Sequence, residues 1–428
     1  MRQLDSVIKD NREGTVFIVS LLVTSFLIIL VAAFMGWVIF EYQMTGRSHK
    51  EAAAEALADA GIDRAIWELN YGDGSWSGWN SSVSGTTTTR TRTFSSFQTQ
   101  SGQTIGDFAV TLTVPSSETP VTIVAIGYVP NQASAAATRT VKVSVDASLF
   151  GKGVVSLTSL GFTGNSTTNS YDSALGAYGI QPHTQHGDVA TNGNITMTGN
   201  VEVYGDATPG PSHTVSMSGN SSVSGSTSAV SSNITLDSIP SYASYYATHN
   251  NNASISSTYL SGTTLSVTGN NTLNLQGGYN YYFTSASVSG NATINITGGG
   301  SANICVAGGN LQITGNAVLN IGTSAVNFWI EGGNVSTTGN GLYNSGASTN
   351  LTLYSTGNSI SFTGNASFSG GVYAPNATVQ STGNADVYGS VYCRQFTATG
   401  NANIHHDLAQ RRKKSPFSTY KVLYWQEK

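Results

Sequence analysis

GGVYAPNATVQSTGNADVYGSVYCRQFTATGNANIHHD, residues 370–407, decides how the larger part of this chain is read. It carries Thr-Gly-Asn twice, at 382–384 and 399–401, and each copy is followed by Ala, a polar residue and then Val387 or Ile404. In a strand, the first and third positions after the Asn share one face, so each copy turns on Gly-Asn and then points two apolar side chains inward. Glycine tolerates positive φ at such a corner, and Asn tolerates it better than most residues.

Working outward, Thr/Ser-Gly-Asn recurs with its glycine at Gly164, Gly199, Gly219, Gly269, Gly290, Gly315, Gly339, Gly357, Gly364, Gly383 and Gly400. Many intervals fall between 17 and 25 residues, about one turn of a three-sided parallel β-helix. The corner residues expected to carry structure are Gly199, Asn200, Gly219, Asn220, Gly290, Asn291, Gly315, Asn316, Gly364, Asn365, Gly383, Asn384, Gly400 and Asn401. Stacked at ~4.8 Å, their side-chain amides would form a ladder, and roughly a dozen coils would make a rod of about 55–60 Å. A second corner, AGGNLQITGN (307–316) and EGGNVSTTGN (331–340), repeats with the same texture. A disordered Gly/Ser/Thr linker would show no such register.

Charge excludes several functions. Between Lys152 and Arg394 there is no Lys or Arg, and the acids there are Asp172, Asp188, Glu202, Asp206, Asp237, Glu331 and Asp386. Such a tract cannot neutralise a phosphate backbone or cradle a transferred phosphoryl group, so nucleic acid is not an expected partner. Glycoside hydrolysis needs two facing carboxylates, and only the groups Asp188, Glu202, Asp206 and Asp386, Asp407, read as lying near the two ends of the stack, offer any. Catalytic residues are expected to be none. His183, His186 and Asp188, or His405, His406 and Asp407, have the composition of a metal site. Solvated or hydrogen-bonded histidine is the simpler reading, and no metal or cofactor is expected. Cys305 and Cys393, about four coils apart, are too distant for a disulfide and read as buried small hydrophobes. RRKK (411–414) reads as a solvated tail, and YKVLYW (420–425) as a strand or cap that folds back.

Towards the amino end, VFIVSLLVTSFLIILVAAFMGWVIF (16–40) runs 25 residues without a charge, about 37 Å as a helix and enough to cross a bilayer. A cleaved secretory signal has a shorter apolar region and a small-x-small site, which does not follow Phe40. HKEAAAEALADAGIDRAIWELN (49–70) continues in helix-forming residues with Leu57, Ile62, Ile66 and Leu69 near helical spacing, ended by Gly72, Gly74 and Gly78. From 85 to 147 the texture alternates with period two, as in a small antiparallel sheet.

NREGTVFIVSLLVTSFLIILVAAF followed by EAAAEALADAGIDRAIWELN resembles the amino terminus of PilX-type minor pilins and related type IV pilin-like proteins. The resemblance implies a cytoplasmic leader, cleavage by a prepilin peptidase between Gly14 and Thr15, and an inner-membrane single pass with the carboxy-terminal domain outside the cytoplasm. Major pilins commonly carry Glu at the fifth mature position, where this chain has Val19. YDSALGAYG (171–179), GDVATNGNITMTGNVEVYGDATPGP (187–211), residues 370–407 and YKVLYWQE (420–427) resemble an uncharacterised β-helical domain of bacterial pilin-like proteins.

The expected fold is mainly β. It has a 1–14 leader, a 15–70 transmembrane and stalk helix, a 71–150 antiparallel sheet head, a 151–407 right-handed parallel β-helix and a 408–428 tail or cap. The expected function is a membrane-anchored structural protein, a minor component of a type IV pilus or secretion pseudopilus, with other pilin-like or assembly subunits as partners. Three alternatives stay open: an adhesin or carbohydrate-binding rod meeting surface polysaccharide through Tyr245, Tyr246, Tyr281 and Tyr282, a β-helical polysaccharide enzyme, or a self-polymerising scaffold.

Overall fold

The chain is mainly β, with one long apolar N-terminal helix and an antiparallel sheet. A computed structural model describes residues 15–72, 75–85, 87–98, 100–115, 120–146, 148–322, 324–340, 347–417 and 419–427, and the backbone alone of 2–14 and 343–344. The chain divides into two compact units: Met1–Ser116, Pro120–Val145 and Tyr420–Lys428 form one, and Ser117–Thr119 with Asp146–Thr419 the other.

In the first unit, helix α1 (Arg2–Tyr71) meets a six-stranded sheet. Strands β1 (Asn80–Ser84), β2 (Thr87–Gln98), β3 (Thr104–Pro115), β4 (Val121–Val129) and β5 (Ala137–Asp146) pair in sequence order, each antiparallel to the next. The C-terminal strand Lys421–Glu427 takes the edge beside β5. The burial of β4 alternates strictly, with Val121, Ile123, Ala125, Gly127 and Val129 turned inward, as a sheet covered on one face requires. Against them lie Ala54, Ala58, Gly61 and Ala65, a stripe of small residues at helical spacing. The approach is close: a Cβ on Gly127 would stand 1.9 Å from the Ala54 carbonyl oxygen, and one on Gly61 2.8 Å from the Ala125 Cβ. Leu57 and Ile62 flank the stripe and are buried, while Ile66 and Leu69 are partly so. Arg139 on β5 ties to Glu51 on the helix at 2.7 Å.

The second unit holds a 21-stranded sheet and a four-stranded sheet whose pairings are parallel. Stacked repeats lie in register: Thr272–Gln276 opposes Thr293–Thr297, and Ser301–Ala307 opposes Ala325–Glu331. At several corners residues one and three after the Gly-Asn point into one apolar core, as Val201 and Val203, Ala366 and Phe368, and Ala385 and Val387 show.

The stacking order is not the sequence order. Strand Val154–Gly164 pairs on one side with Asp386–Gly400 and on the other with Val189–Thr191 and Ile195–Gly199. The repeats at 154–230 therefore sit upon the last ones, and residues 150–170 and 386–407 are neighbours rather than opposite ends. The chain resolves this by returning. Ile234, Leu236, Ile239 and Tyr242, with helix α2 (Ala243–Thr248), run along a side of the stack and cover a column of Cys305, Trp329, Tyr354, Tyr373 and Tyr392. Repeats from 264 onward then build back toward Val154.

Candidate functional site

The glycine corners form one column. Each would meet its neighbour's carbonyl oxygen if it carried a Cβ: Gly290 at 2.9 Å from Gly269, Gly383 at 2.7 Å from Gly364, Gly400 at 2.7 Å from Gly383, Gly164 at 2.3 Å from Gly400, Gly199 at 2.4 Å from Gly164, and Gly219 at 2.5 Å from Gly199. Their φ values are positive, 108° at Gly199 and 91° at Gly383. Both facts demand glycine. Gly315 and Gly364 stand in the same column, whereas Gly357 belongs to the second corner, its Cβ position 1.8 Å from Gly333 O.

Beside the glycines the asparagines bond in series. Asn220 Nδ2 donates to Asn200 Oδ1 at 3.0 Å, Asn200 to Asn165 at 2.8 Å, Asn165 to Asn401 at 3.0 Å, Asn401 to Asn384 at 2.9 Å and Asn384 to Asn365 at 3.0 Å. A further run joins Asn340, Asn316, Asn291 and Asn270 at 2.6–3.0 Å. Two more ladders rise elsewhere, Asn327, Asn303 and Asn280 in one and Asn320, Asn295 and Asn274 in the other. The exposed Asn column is uncharged: it can hydrogen-bond but cannot supply acid, base or nucleophile.

Asp188 and Asp206 serve the backbone, whereas Glu202 accepts from the Tyr204 hydroxyl and Asp386 from Asn403 Nδ2. Asp188 Oδ1 accepts from Asp206 N at 2.9 Å, and Asp206 Oδ1 accepts from Ser226 N at 2.7 Å, one repeat further. Asp188 Oδ2 also meets Arg411 at 3.3 Å, and Asp172 meets Arg412 at 2.8 Å. RRKK is therefore not a solvated tail as a whole. With no other cation between Lys152 and Arg394, these arginines neutralise acids that the fold half buries. Lys413 Nζ donates to Thr349 O at 3.0 Å and to Thr352 Oγ1, and burial lowers its pKa to about 8. Buried Asp407 accepts from Ser173 N at 2.8 Å, Ala409 N at 3.0 Å and the Ser348 hydroxyl. Glu331 accepts from Tyr242 N and Ser241 Oγ, which pins the start of α2.

His405 and His406 are packed, whereas His183 and His186 are exposed. His405 Nδ1 donates to Asn169 Oδ1 at 2.7 Å, with the ring of Tyr178 at 4.0 Å and that of Tyr388 at 4.8 Å. His406 Nδ1 donates to His186 O at 2.9 Å. Burial pushes both imidazoles down to about 3. Among the described residues no three His, Cys, Asp or Glu side chains gather to hold a metal ion.

The tyrosines read as exposed divide. Tyr245 is exposed, Tyr282 half-buried, and Tyr246 and Tyr281 are buried, because alternation in strand Asn280–Phe283 turns Tyr281 into the core. Cys305 and Cys393 are free and buried. Burial raises Cys305 to about 12 and Cys393 further. At the other end of the chain, α1 has one segment long and apolar enough to cross a membrane, by length and composition, and its side chains from Val16 to Phe40 are exposed. Thr15 opens that segment, while Gly14 lies outside the residues whose side chains are described. The small-residue stripe Ala54, Ala58, Gly61 and Ala65 was missed by a search for large apolar residues, although its spacing is in the sequence.

Residues 237–412 match a domain of unknown function, DUF7305. The match takes in the returning segment from Asp237 and the repeats from 264 onward, and the repeats at 154–230 lie outside it. No curated protein matches the chain. Among solved structures, it is similar to the competence-associated pilin ComZ from Thermus thermophilus, 13% identical over 89% of this chain and 97% of that one, with a TM-score of 0.34. It is also similar to an ice binding protein from an Antarctic bacterium Flavobacteriaceae, 11% identical over 58% of this chain and 81% of that one, with a TM-score of 0.20. TM-scores this low do not establish a shared fold.

Proposed function

We propose that this chain is a membrane-anchored, pilin-like structural protein that displays a right-handed parallel β-helix outside the cytoplasm, as a minor component of a type IV pilus or secretion pseudopilus. One observation carries the reading: α1 exposes an uninterrupted apolar surface from Val16 to Phe40, then buries Ala54, Leu57, Ala58 and Ile62 against an antiparallel sheet. A single helix that is lipid-compatible in one half and head-bound in the other anchors a folded domain at a fixed distance from a bilayer. The in-register parallel stacking, with asparagine ladders on more than one side, supports the β-helix.

On this reading turnover is not the activity: Asp188 and Asp206 accept from backbone amides, and His405 and His406 are enclosed. Assembly and contact are the activity on this reading, with the membrane and other pilin-like or assembly subunits as partners and the inner membrane as its first location.

Labelling tests the display. Replacing exposed Thr268 with Cys places a thiol on the corner face, while Cys305 and Cys393 stay buried. A membrane-impermeant maleimide should label Thr268→Cys in intact cells once any outer barrier is permeabilised, and should not label the parent chain. Labelling only after the inner membrane is breached would contradict the reading.

A further inference from the structure

The two ends of the stack are finished differently. At one end, Leu260–Ser261 folds back antiparallel onto Thr264–Val267, and the Asn252 side chain bonds both Tyr282 N and Tyr282 O. Ile255 closes over the core, and Leu273, Leu275, Tyr281 and Phe283 are each at most 3% exposed. At the other end, strand Val215–Gly219 pairs among the described residues only with Ile195–Gly199. Met217 continues an inward column of Ala398, Phe162 and Met197. Those three are at most 1% exposed and Met217 is 47% exposed. Val215 and Val223, next in their own columns, are also partly open.

This edge also lacks the usual defences. Exposed strands are normally blunted by charges, proline or bulges. Residues 212–236 contain no Asp, Glu, Lys, Arg or Pro. The Gly-Asp pairs of the two lower repeats, at 187–188 and 205–206, become Gly225-Ser226 in the last one.

We propose that the open end is a self-association surface, on which strand Val215–Gly219 pairs antiparallel with the same strand of a second copy and buries Met217. Strand geometry favours a copy of this chain, because antiparallel strand edges are self-complementary about a two-fold axis, and an uncharged face meets its own image without like-charge repulsion. Pairing about a two-fold axis uses the open edge of both copies, so association closes at two copies and does not extend into a filament.

Single cysteines at Ser216, Met217 and Ser218, introduced one at a time into the full chain in detergent micelles, test this, with Ser257→Cys at the sealed end as control. Residues opposed across an antiparallel pair have Cα atoms about 4.5–5.5 Å apart, within disulfide reach. Mild oxidation should convert at least one open-end variant to a species of twice the mass and leave Ser257→Cys and the parent uncross-linked. By light scattering the protein mass of the parent should be that of two chains. Met217→Lys should halve it without shifting the melting temperature by more than a few degrees. A monomeric parent, a dimer that survives Met217→Lys, or a ladder of species beyond two would each overturn the proposal. Recovery of a heteromeric complex through the same strand, with no homodimer, would also overturn it.

Discussion

Gly199 shows what a single residue does in this fold. Its φ of 108° lies where L side chains are strained, and a Cβ would stand 2.4 Å from Gly164 O. Gly199→Ala should cost about 2–3 kcal/mol, from strain and a displaced neighbouring repeat. Gly262→Ala, at φ 60° with nothing within 4 Å, should cost about 1 kcal/mol. Paired thermal melts compare them, and equal losses would show that stacking contact is not the constraint. His405 and His406 give a second test at this scale. Both are held near pKa 3, chiefly by burial, below the ~6.5 of an unfolded imidazole. Between those values the unfolded chain binds more protons, so stability rises with pH there. It is fully present above about 6.5 and lost as pH falls toward about 3. NMR should therefore find these two rings neutral and non-titrating from pH 8 to pH 5, and a midpoint near 6.5 for either would contradict their enclosure.

At the scale of elements, the covered column on the returning side is the most sensitive part. Trp329 stacks on Tyr354 at 4.3 Å and meets Tyr242 at 4.5 Å. Trp329→Ala should cost about 3–5 kcal/mol, and should free the 234–248 segment, measured as faster amide exchange there than in the repeats. Uniform protection would show that the segment is held elsewhere. This element also marks what was legible. Inward alternation after corners such as Gly199-Asn200 and Gly383-Asn384 could be read residue by residue because period two assigns faces without any tertiary knowledge. The stacking order could not, since repeats of like texture fit one another in either order and nothing local tells 154–164 that its neighbour is 386–400. Arg411 and Arg412 were misread for a related reason: their partners, Asp188 and Asp172, are more than two hundred residues away. Gly357 shows the limit of a motif, because the same tripeptide serves a different corner.

For the whole molecule, the amphipathic split of α1 was legible from charge-free length and helix-forming composition. The Ala and Gly stripe that lets the helix lie close on β4 carries little hydrophobic signal, and only the facing Gly127 and Ala125 give it meaning. Leu27→Arg places a charge near the middle of the apolar segment, at about 2.5–3.5 kcal/mol for insertion. It should move the chain from the carbonate-resistant membrane fraction to the extractable one, and unchanged retention would argue that α1 is not the anchor. The central claim is anchoring followed by pilin-type maturation, and the mass of the amino-terminal peptide of the protein recovered from its own membranes tests it most directly. The account predicts a chain that starts at Thr15, whereas a chain that retains residues 1–14 would contradict it.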